Sequence, residues 1–192
     1  MIMEALRELG FRKFLRYIFF LWWDIGFSLM FFPPLRTTWL SVFGAKLGKN
    51  VILQKIRIIN PHHHGLGNLS IGDNSVLSDN VSLDLADKII LGKHTAVGEG
   101  VIFSTHLKIG YSNHPLQKYF PPKKSPIIIG DGCFIGAGAI ILSGVRIGEG
   151  VMVPAGTVVN RSLDSWVVVH DEQIRHLIAI KSKLNYEHQN RN

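Results

Sequence analysis

The sequence is poor in cysteine and in charged residues. Cys133 is the single cysteine among 192 residues, so the chain cannot form an internal disulfide bond and does not indicate an oxidising compartment. Because Cys133 follows a glycine in a tight repeat, we expect a small buried apolar group rather than a reactive thiol. Charged residues make up 18% of the chain and hydrophobic residues 46%, which excludes an intrinsically disordered protein.

Acidic residues are also scarce. There are 14 against 21 basic residues, and the net charge is +7. This balance suits anionic partners such as a phosphate-bearing cofactor, an acidic membrane surface or a nucleic acid. The basic residues are concentrated near the N-terminus, around residues 108–124 and in the C-terminal tail. They do not follow one visible strip, so we expect no nucleic-acid partner.

The chain has no apolar run as long as a membrane-spanning helix. Residues 17–32 are apolar apart from Asp24, Gly26 and Ser28. This run is shorter than the roughly 20 residues that a membrane-spanning helix requires. Pro33 and Pro34 are expected to end this helical segment. We therefore predict that residues 1–36 form an amphipathic or apolar helix that lies on a membrane surface. A helix packed on the rest of the protein and a true span are the alternatives.

Aliphatic residues recur at intervals of six. Neither a helix nor a flat sheet has this period, but a triangular prism with six residues per face does, because one side chain per face then points to the axis. Such coils must stack to bury their apolar faces, and a β-sandwich does not require this strict phasing. The predicted inward residues are Leu47, Leu53 and Ile59; Ile71, Leu77, Leu83 and Ile89; Leu91, Val97, Phe103 and Ile109; and Ile129, Ile135, Ile141, Ile147, Val153 and Val159.

The clearest repeats carry a family resemblance. The segment IGDGCFIGAGAIILSGVRIGEGVMVPAGTVV resembles the hexapeptide-repeat acyltransferases, whose fold is an all-β, left-handed parallel β-helix. The segments FGAKLG, LSIGD and LDLADKIILG resemble the exopolysaccharide branch of that family. We expect three parts: the helical segment 1–36, a β-helix over residues 37–169 with an inserted loop at 110–126, and a C-terminal helical cap and tail at 170–192.

The resemblance implies a function as well as a fold. It implies transfer of an acetyl group from acetyl-CoA to a sugar hydroxyl in the synthesis of polysaccharide or glycolipid precursors, without a metal. It also implies a homotrimer with sites between subunits, and a carbohydrate acceptor that includes lipid-linked sugars. The implied setting is the inner face of the cytoplasmic membrane. Longer acyl donors are also compatible with the sequence.

Two histidines are candidates for the general base. Histidine suits this role because its ordinary pKa lies near neutral pH. His114 in NHPLQ is similar to the catalytic histidine of maltose and galactoside acetyltransferases, which have His-Pro-Leu in this loop. His106 in STH is the rival, because the family's spacing from Val101 places the base near position 108. The His-Pro-Leu sequence of the motif favours His114, and the spacing from Val101 slightly favours His106.

The remaining site residues follow from the resemblance. Asp84 stands where the exopolysaccharide branch tends to have asparagine, so it is a candidate for binding a sugar hydroxyl, or a turn residue that bonds its own backbone. Coenzyme A would lie along a groove between two prisms beside the C-terminal coils. The candidates for its pantetheine arm are Ala137, Gly138, Ala139 and Ala155, and those for its nucleotide end are Asn160, Arg161 and Arg175.

The sequence is also compatible with two other functions. The same prism occurs in carbonic anhydrases that bind zinc through three histidines, and this chain has nine histidines, three of them at positions 62–64. A run of histidines in a loop is nevertheless more often solvated than a set of ligands. A non-catalytic scaffold subunit is the second alternative, because the family's GNPAR segment is replaced by HDEQIR at residues 170–175.

Overall fold

The computed structural model describes residues 11–30, 32–109 and 114–169. Two helices precede a set of short parallel strands. Helix α1 spans Phe11–Ser28 and helix α2 spans Pro33–Val42. Three five-stranded parallel sheets follow, and they form the faces of a triangular prism. This arrangement is consistent with the predicted left-handed parallel β-helix; the predicted C-terminal helix lies outside the described residues.

Each coil of the chain adds one strand to each face. Sheet A contains β1 (Lys46–Leu47), β4 (Leu69–Ile71), β7 (Ile89–Leu91), β12 (Ile127–Ile129) and β15 (Arg146–Ile147). Sheet B contains β2 (Ile52–Leu53), β5 (Val76–Leu77), β8 (Ala96–Val97), β13 (Phe134–Ile135) and β16 (Met152–Val153). Sheet C contains β3 (Arg57–Ile59), β6 (Ser82–Asp84), β9 (Ile102–Phe103), β14 (Ile140–Ile141) and β17 (Val158–Val159).

The core is the stack of inward-pointing side chains predicted from the six-residue period. Equivalent residues of successive coils lie opposite one another, as Ile129 does to Leu91 and to Ile147. Full burial of one such side chain stabilises the fold by about 1.5–3 kcal/mol, so the coils hold together by stacking. The predicted inward residues that are buried are Leu53, Ile71, Leu77, Leu83, Ile89, Leu91, Val97, Phe103, Ile129, Ile135, Ile141, Ile147, Val153 and Val159.

Leu47 is partly buried and packs against this core. The prediction was wrong at two other inward positions. Ile59 is 36% exposed, because the register of β3 slips by one residue: Ile58 lies opposite the buried Leu83, and Ile59 lies opposite Asp84. A slip of one residue in a strand moves a side chain to the other face of the sheet. Ile109 is only half-buried and belongs to none of the three sheets, because the chain has already left the prism.

The helices cover the end of the prism that is formed by the first strands of the sheets, β1 and β2. Trp23, Phe27 and Leu40 are buried in the same core as the strands. This contact confirms the alternative in which the N-terminal helix packs on the rest of the protein. Helix α1 ends at Ser28, ahead of the prolines as expected, and the two prolines begin helix α2, since proline is favoured in the first turn. The helical part therefore extends to Val42, beyond the expected boundary at residue 36.

Two short strands, one on each side of the inserted loop, pair with each other as a hairpin. Strand β10 (His106–Leu107) pairs antiparallel with β11 (Lys123–Lys124), and a short 3-10 helix, Pro115–Lys118, lies between them. The hairpin fixes the direction in which His106 leaves the prism. Separately, no helix within the described residues is both long and apolar enough to cross a bilayer.

Candidate active site

Asp84 and His106 form a hydrogen-bonded pair at one corner of the prism. Asp84 ends β6 and His106 begins β10, and the two residues are 22 positions apart in sequence. They come together because β6 is paired with β9, where Leu83 lies opposite Phe103, and β10 follows β9 directly in the chain. Nδ1 of His106 lies 2.5 Å from Oδ2 of Asp84. The fold therefore places a carboxylate directly against an imidazole.

Besides His106, four donors hold the Asp84 carboxylate. Nδ2 of Asn60 donates to Oδ1 at 2.8 Å, and the backbone N–H of Ala86 donates to the same oxygen at 3.2 Å. The backbone N–H of Thr105 donates to Oδ2 at 2.9 Å, and the Thr105 hydroxyl donates at 3.0 Å. Asp84 is 4% exposed, so these bonds replace water. They fix the carboxylate in one orientation toward His106.

The pKa of Asp84 lies below its ordinary value. Burial is the largest single influence and by itself raises this pKa, but the hydrogen bonds from Asn60 and His106, the attraction of the His106 charge and the bond from Ala86 together outweigh it. Asp84 is therefore ionised at neutral pH. A carboxylate only accepts hydrogen bonds, so Nδ1 of His106 carries the proton in this pair.

This protonation pattern leaves Nε2 of a neutral His106 as a lone-pair acceptor. The His106 side chain is 34% exposed, whereas that of Asp84 is 6% exposed, so a bound molecule can reach the imidazole but not the carboxylate. A carboxylate that orients an imidazole in this way is the arrangement of a general base with its positioning group. The geometry suits removal of a proton from a hydroxyl.

His114 has a different local role. It is the N-cap of the 3-10 helix Pro115–Lys118, and its Nδ1 accepts a hydrogen bond from the backbone N–H of Leu116 at 3.2 Å. A cap of this kind stabilises a helix end. The structure thus brings Asp84 together with His106, and it uses His114 to organise the inserted loop.

The histidine run lies beside the hairpin that carries His106. Lys124 is opposite His106 in the β10–β11 register, and its Nζ is 3.3 Å from Nδ1 of His63. The His63 carbonyl accepts a hydrogen bond from Arg16 of helix α1 at 3.4 Å. In the part of the chain that the structure describes, no group of three or more His, Cys, Asp or Glu side chains is arranged to hold a metal ion.

Comparison with known proteins settles the family. The repeat family described as the hexapeptide repeat of succinyl-transferase matches residues 126–161. A protein assigned to colanic acid biosynthesis as an acetyltransferase, WcaF of Escherichia coli K12, is 30% identical over 154 residues, which cover 77% of this chain and 79% of the relative. The chain belongs to the hexapeptide-repeat acetyltransferases.

Solved structures of two acetyltransferases have the same fold, the first of them described as containing hexapeptide repeats. One, from Vibrio cholerae and in complex with acetyl-CoA, has a TM-score of 0.67 at 20% identity and covers 91% of this chain and 88% of its own. A maltose O-acetyltransferase from Clostridium difficile 630 has a TM-score of 0.66 at 23% identity and covers 91% and 87%. At these identities the likeness concerns the fold.

In this hexapeptide-repeat acetyltransferase, the residues predicted for the pantetheine arm lie at the corner between sheets B and C. Ala137 and Ala155 are exposed and belong to successive coils, and the Gly156 N–H donates to the Ala137 carbonyl at 2.8 Å. Within the described residues, no backbone hydrogen bond is donated by the Ala137 or Ala155 N–H groups. Small exposed residues with available N–H groups fit an amide-containing arm. Gly138 is exposed beside them, whereas Ala139 is buried.

The other residues singled out in the sequence are Asn160, Arg161, Arg175 and Cys133. Asn160 and Arg161 are exposed after β17, and Arg175 lies outside the described residues. Cys133 is 1% exposed and its thiol donates to the Gly148 carbonyl at 3.0 Å, which confirms the expected buried group. Burial raises the pKa of the Cys133 thiol, so it is not a nucleophile at neutral pH.

Sequence reasoning missed three residues at this site: Asn60, Thr105 and Lys124. The available signal was the repeat itself, because Leu83 and Phe103 occupy the same face one coil apart. Stacking one coil on the next places Asp84 beside the residues that follow Phe103, and these include Thr105 and His106. The repeat therefore indicated the neighbourhood of Asp84, whereas the contact itself depends on the β10–β11 hairpin that orients His106.

Proposed function

We propose that this protein is an acetyl-CoA-dependent O-acetyltransferase whose acceptor is a sugar hydroxyl. The Asp84–His106 pair is the single observation that carries the proposal, since it supplies an oriented and accessible imidazole. Membership of the acetyltransferase family supports the donor, and relatives that act on maltose and in colanic acid biosynthesis support a carbohydrate acceptor. A metal has no part in this proposal.

The proposed reaction requires one base. Acetyl-CoA supplies the acetyl group as a thioester. Nε2 of His106 accepts the proton of the acceptor hydroxyl while the hydroxyl oxygen bonds to the acetyl carbon. Asp84 holds Nδ1–H and stabilises the imidazolium that forms. As the carbon–sulfur bond breaks, His106 returns the proton to the departing sulfur, so the enzyme ends unchanged. Asp84 is thus a positioning residue rather than a direct contact of the sugar.

We propose further that the site is completed by a second copy of the chain, in a homotrimer. Ala137 and Ala155 precede sheet C, whereas His106 follows it. Because the strands of sheet C are parallel, one corner lies where these strands begin and the other lies where they end. One prism alone therefore separates the proposed arm-binding corner from the proposed base, and an adjacent prism can bring such a corner to His106.

Acetyl transfer to a panel of hexoses and hexosides tests this function. We expect the purified protein to release thiol from acetyl-CoA faster with an acceptor than without one, and to form an acetyl ester on the sugar. Light scattering should give a mass three times that of the chain. A scaffold subunit would form the same trimer but release no thiol above background and form no ester, which would refute the enzyme proposal.

We also propose that the helices lie on the inner face of the cytoplasmic membrane. Trp22 and Ile25 of α1 and Leu29 directly after it are 69%, 51% and 61% exposed, so they form an apolar surface that is not covered by the prism. Val42 of α2 is 74% exposed. Apolar side chains on such a face gain free energy by entering the lipid interface, and the net charge of +7 favours anionic headgroups.

Substituting this exposed face tests membrane contact. We expect the protein to sediment with vesicles that contain 30% phosphatidylglycerol and Trp22→Ser/Ile25→Ser/Leu29→Ser to bind roughly 100-fold more weakly, since each side chain contributes about 1 kcal/mol when half-buried. Removal of residues 1–35 is a poorer test, because Trp23 and Phe27 belong to the core. Full-length protein that stays in the supernatant when the vesicles sediment would contradict the proposal.

A further inference from the structure

A groove runs between helix α1 and the outer side of β3. It consists of two adjoining cavities of about 370 Å³ and 230 Å³, and Asp24 and Arg57 line both. We call these two cavities the helix groove. The larger one is in the size range of small-molecule sites. Neither the relatives nor the proposed reaction assigns a role to the groove.

One end of the helix groove adjoins the proposed active site. Asn60 lines the larger cavity and donates its Nδ2–H to Asp84, which holds His106. Asn60 follows β3, and His106 follows β9, two strands further along sheet C. The Asn60 amide and the His106 imidazole bond the two oxygens of the same carboxylate, at 2.8 Å and 2.5 Å, so a single side chain separates this end of the groove from the imidazole.

The end nearest Asn60 is lined mainly by aromatic and aliphatic side chains. Tyr17, Phe20 and Trp23 line it, together with Asn60 and His62. Aromatic faces pack against apolar surfaces such as the C–H faces of sugar rings, while the amide and imidazole groups bond hydroxyls. The buried indole N–H of Trp23 has no hydrogen-bond partner among the described residues.

The other end of the helix groove is cationic. Arg36, Lys55 and Arg57 line the smaller cavity, and Asp24 is the only carboxylate among its lining residues. None of these three cations forms a salt bridge with a carboxylate in the described ranges. Arg36 uses its Nε–H on the Met30 carbonyl at 2.7 Å. Guanidinium and ammonium groups that converge without a paired carboxylate suit a phosphate, which accepts several charge-assisted hydrogen bonds.

The two ends are a short distance apart. Arg57 begins β3 and Asn60 follows its last residue, which corresponds to about 10 Å of extended chain. We propose that the helix groove binds a glycosyl phosphate, with its sugar against the aromatic end and its phosphate at Arg36, Lys55 and Arg57. This inference rests on the proposed function, because it names the acceptor of the acetyl group. The phosphate ester could come from a lipid carrier or from a soluble sugar phosphate.

Binding in a variant that cannot turn over separates this inference from the proposed function. In His106→Ala, we expect calorimetry to show hexose 1-phosphates binding at least 10-fold more tightly than the same free hexoses. Adding Lys55→Gln/Arg57→Gln should remove that preference, because two charge-assisted contacts are worth roughly 10- to 100-fold. Lys46→Gln/Lys49→Gln removes the same charge from exposed lysines that line neither cavity, and should leave the preference unchanged.

The outcomes distinguish the two ideas and the two sources. Equal binding of hexoses and their phosphates, with no binding of inorganic phosphate, would overturn the groove assignment even if neutral sugars are acetylated. Binding that depends on Lys55 and Arg57 without any acetyl transfer would retain the groove and refute the proposed function. Where transfer occurs, turnover with hexose 1-phosphates in solution supports a soluble acceptor. Turnover confined to phosphatidylcholine vesicles carrying a hexosyl polyprenyl phosphate supports the lipid-linked source.

Discussion

We expect His106→Ala to lower kcat for acetyl transfer by at least about 100-fold, whereas His114→Ala changes it by less than about 10-fold. A general base contributes on the order of 100- to 10,000-fold, and only His106 is oriented by the buried Asp84 carboxylate. The loss should appear in kcat rather than in KM, because proton removal belongs to the transition state. Thiol release from acetyl-CoA at saturating acceptor measures it.

The two single variants are matched controls for each other. Both remove one imidazole, but His114→Ala removes an N-cap from a four-residue 3-10 helix, and should loosen the inserted loop without touching the Asp84 pair. Thermal unfolding should show that each variant retains the fold. A large loss of kcat in His114→Ala with normal kcat in His106→Ala would reverse the assignment and restore the role that the His-Pro-Leu motif suggests for His114.

A double-variant cycle isolates the positioning role of Asp84. Asp84→Asn keeps the size of the side chain but removes the negative charge that holds Nδ1–H of His106, so we expect a loss of about 10- to 100-fold in kcat. Combined with His106→Ala, it should cost nothing further, because a positioning group acts only through the base that it positions. Additive losses would instead indicate an independent role for Asp84, such as contact with the sugar.

The second large effect concerns the stacking of the coils. We expect Gly72→Ala to lower the free energy of unfolding by about 3 kcal/mol, because a Cβ at this position would lie 2.5 Å from the Lys93 backbone nitrogen and 2.6 Å from the Gly92 carbonyl carbon. The two coils would have to separate, which weakens the 2.9 Å hydrogen bond from the Gly72 N–H to the Leu91 carbonyl. Urea unfolding, or a fall of roughly 10 °C in Tm, measures the change.

Gly67→Ala is the control for this substitution. Gly67 lies in a 3-10 helix five residues earlier, and a Cβ there would meet nothing nearer than the Gly44 carbonyl oxygen at 3.8 Å. We expect its free energy of unfolding to change by less than about 0.5 kcal/mol. Equal stability of the two variants would mean that the coils are not stacked as closely as the structure has them.

The repeat was predictable because it depends on local spacing. A period of six with aliphatic residues in phase fixes which side chains face the axis, and most of these residues are buried as predicted. The prediction failed where the spacing itself was interrupted, at Ile59 before the Pro61–Gly65 turn and at Ile109 just before the inserted loop. At such points the register depends on how the chain leaves the prism, and a short sequence window does not contain that information.

The choice between His106 and His114 was not decided by the sequence. The motif that favoured His114 is local, but a general base is defined by its partner, and Asp84 lies 22 positions away from His106. The contact exists because β6 and β9 are adjacent in sheet C and the hairpin turns His106 back toward Asp84. The roles of the helices followed the same rule, since burial of Trp23 and exposure of Trp22 depend on which face of α1 meets the prism.

The sequence by itself determined the repeating coil, the residues of its lining and the family, because these follow from periodicity and composition along the chain. Only the tertiary structure decided which histidine is paired with a carboxylate, which face of α1 is exposed and where the helix groove lies. These features join residues that are distant in sequence, and they arise when coils stack and helices pack, since the free energy that selects them comes from contacts between coils and helices.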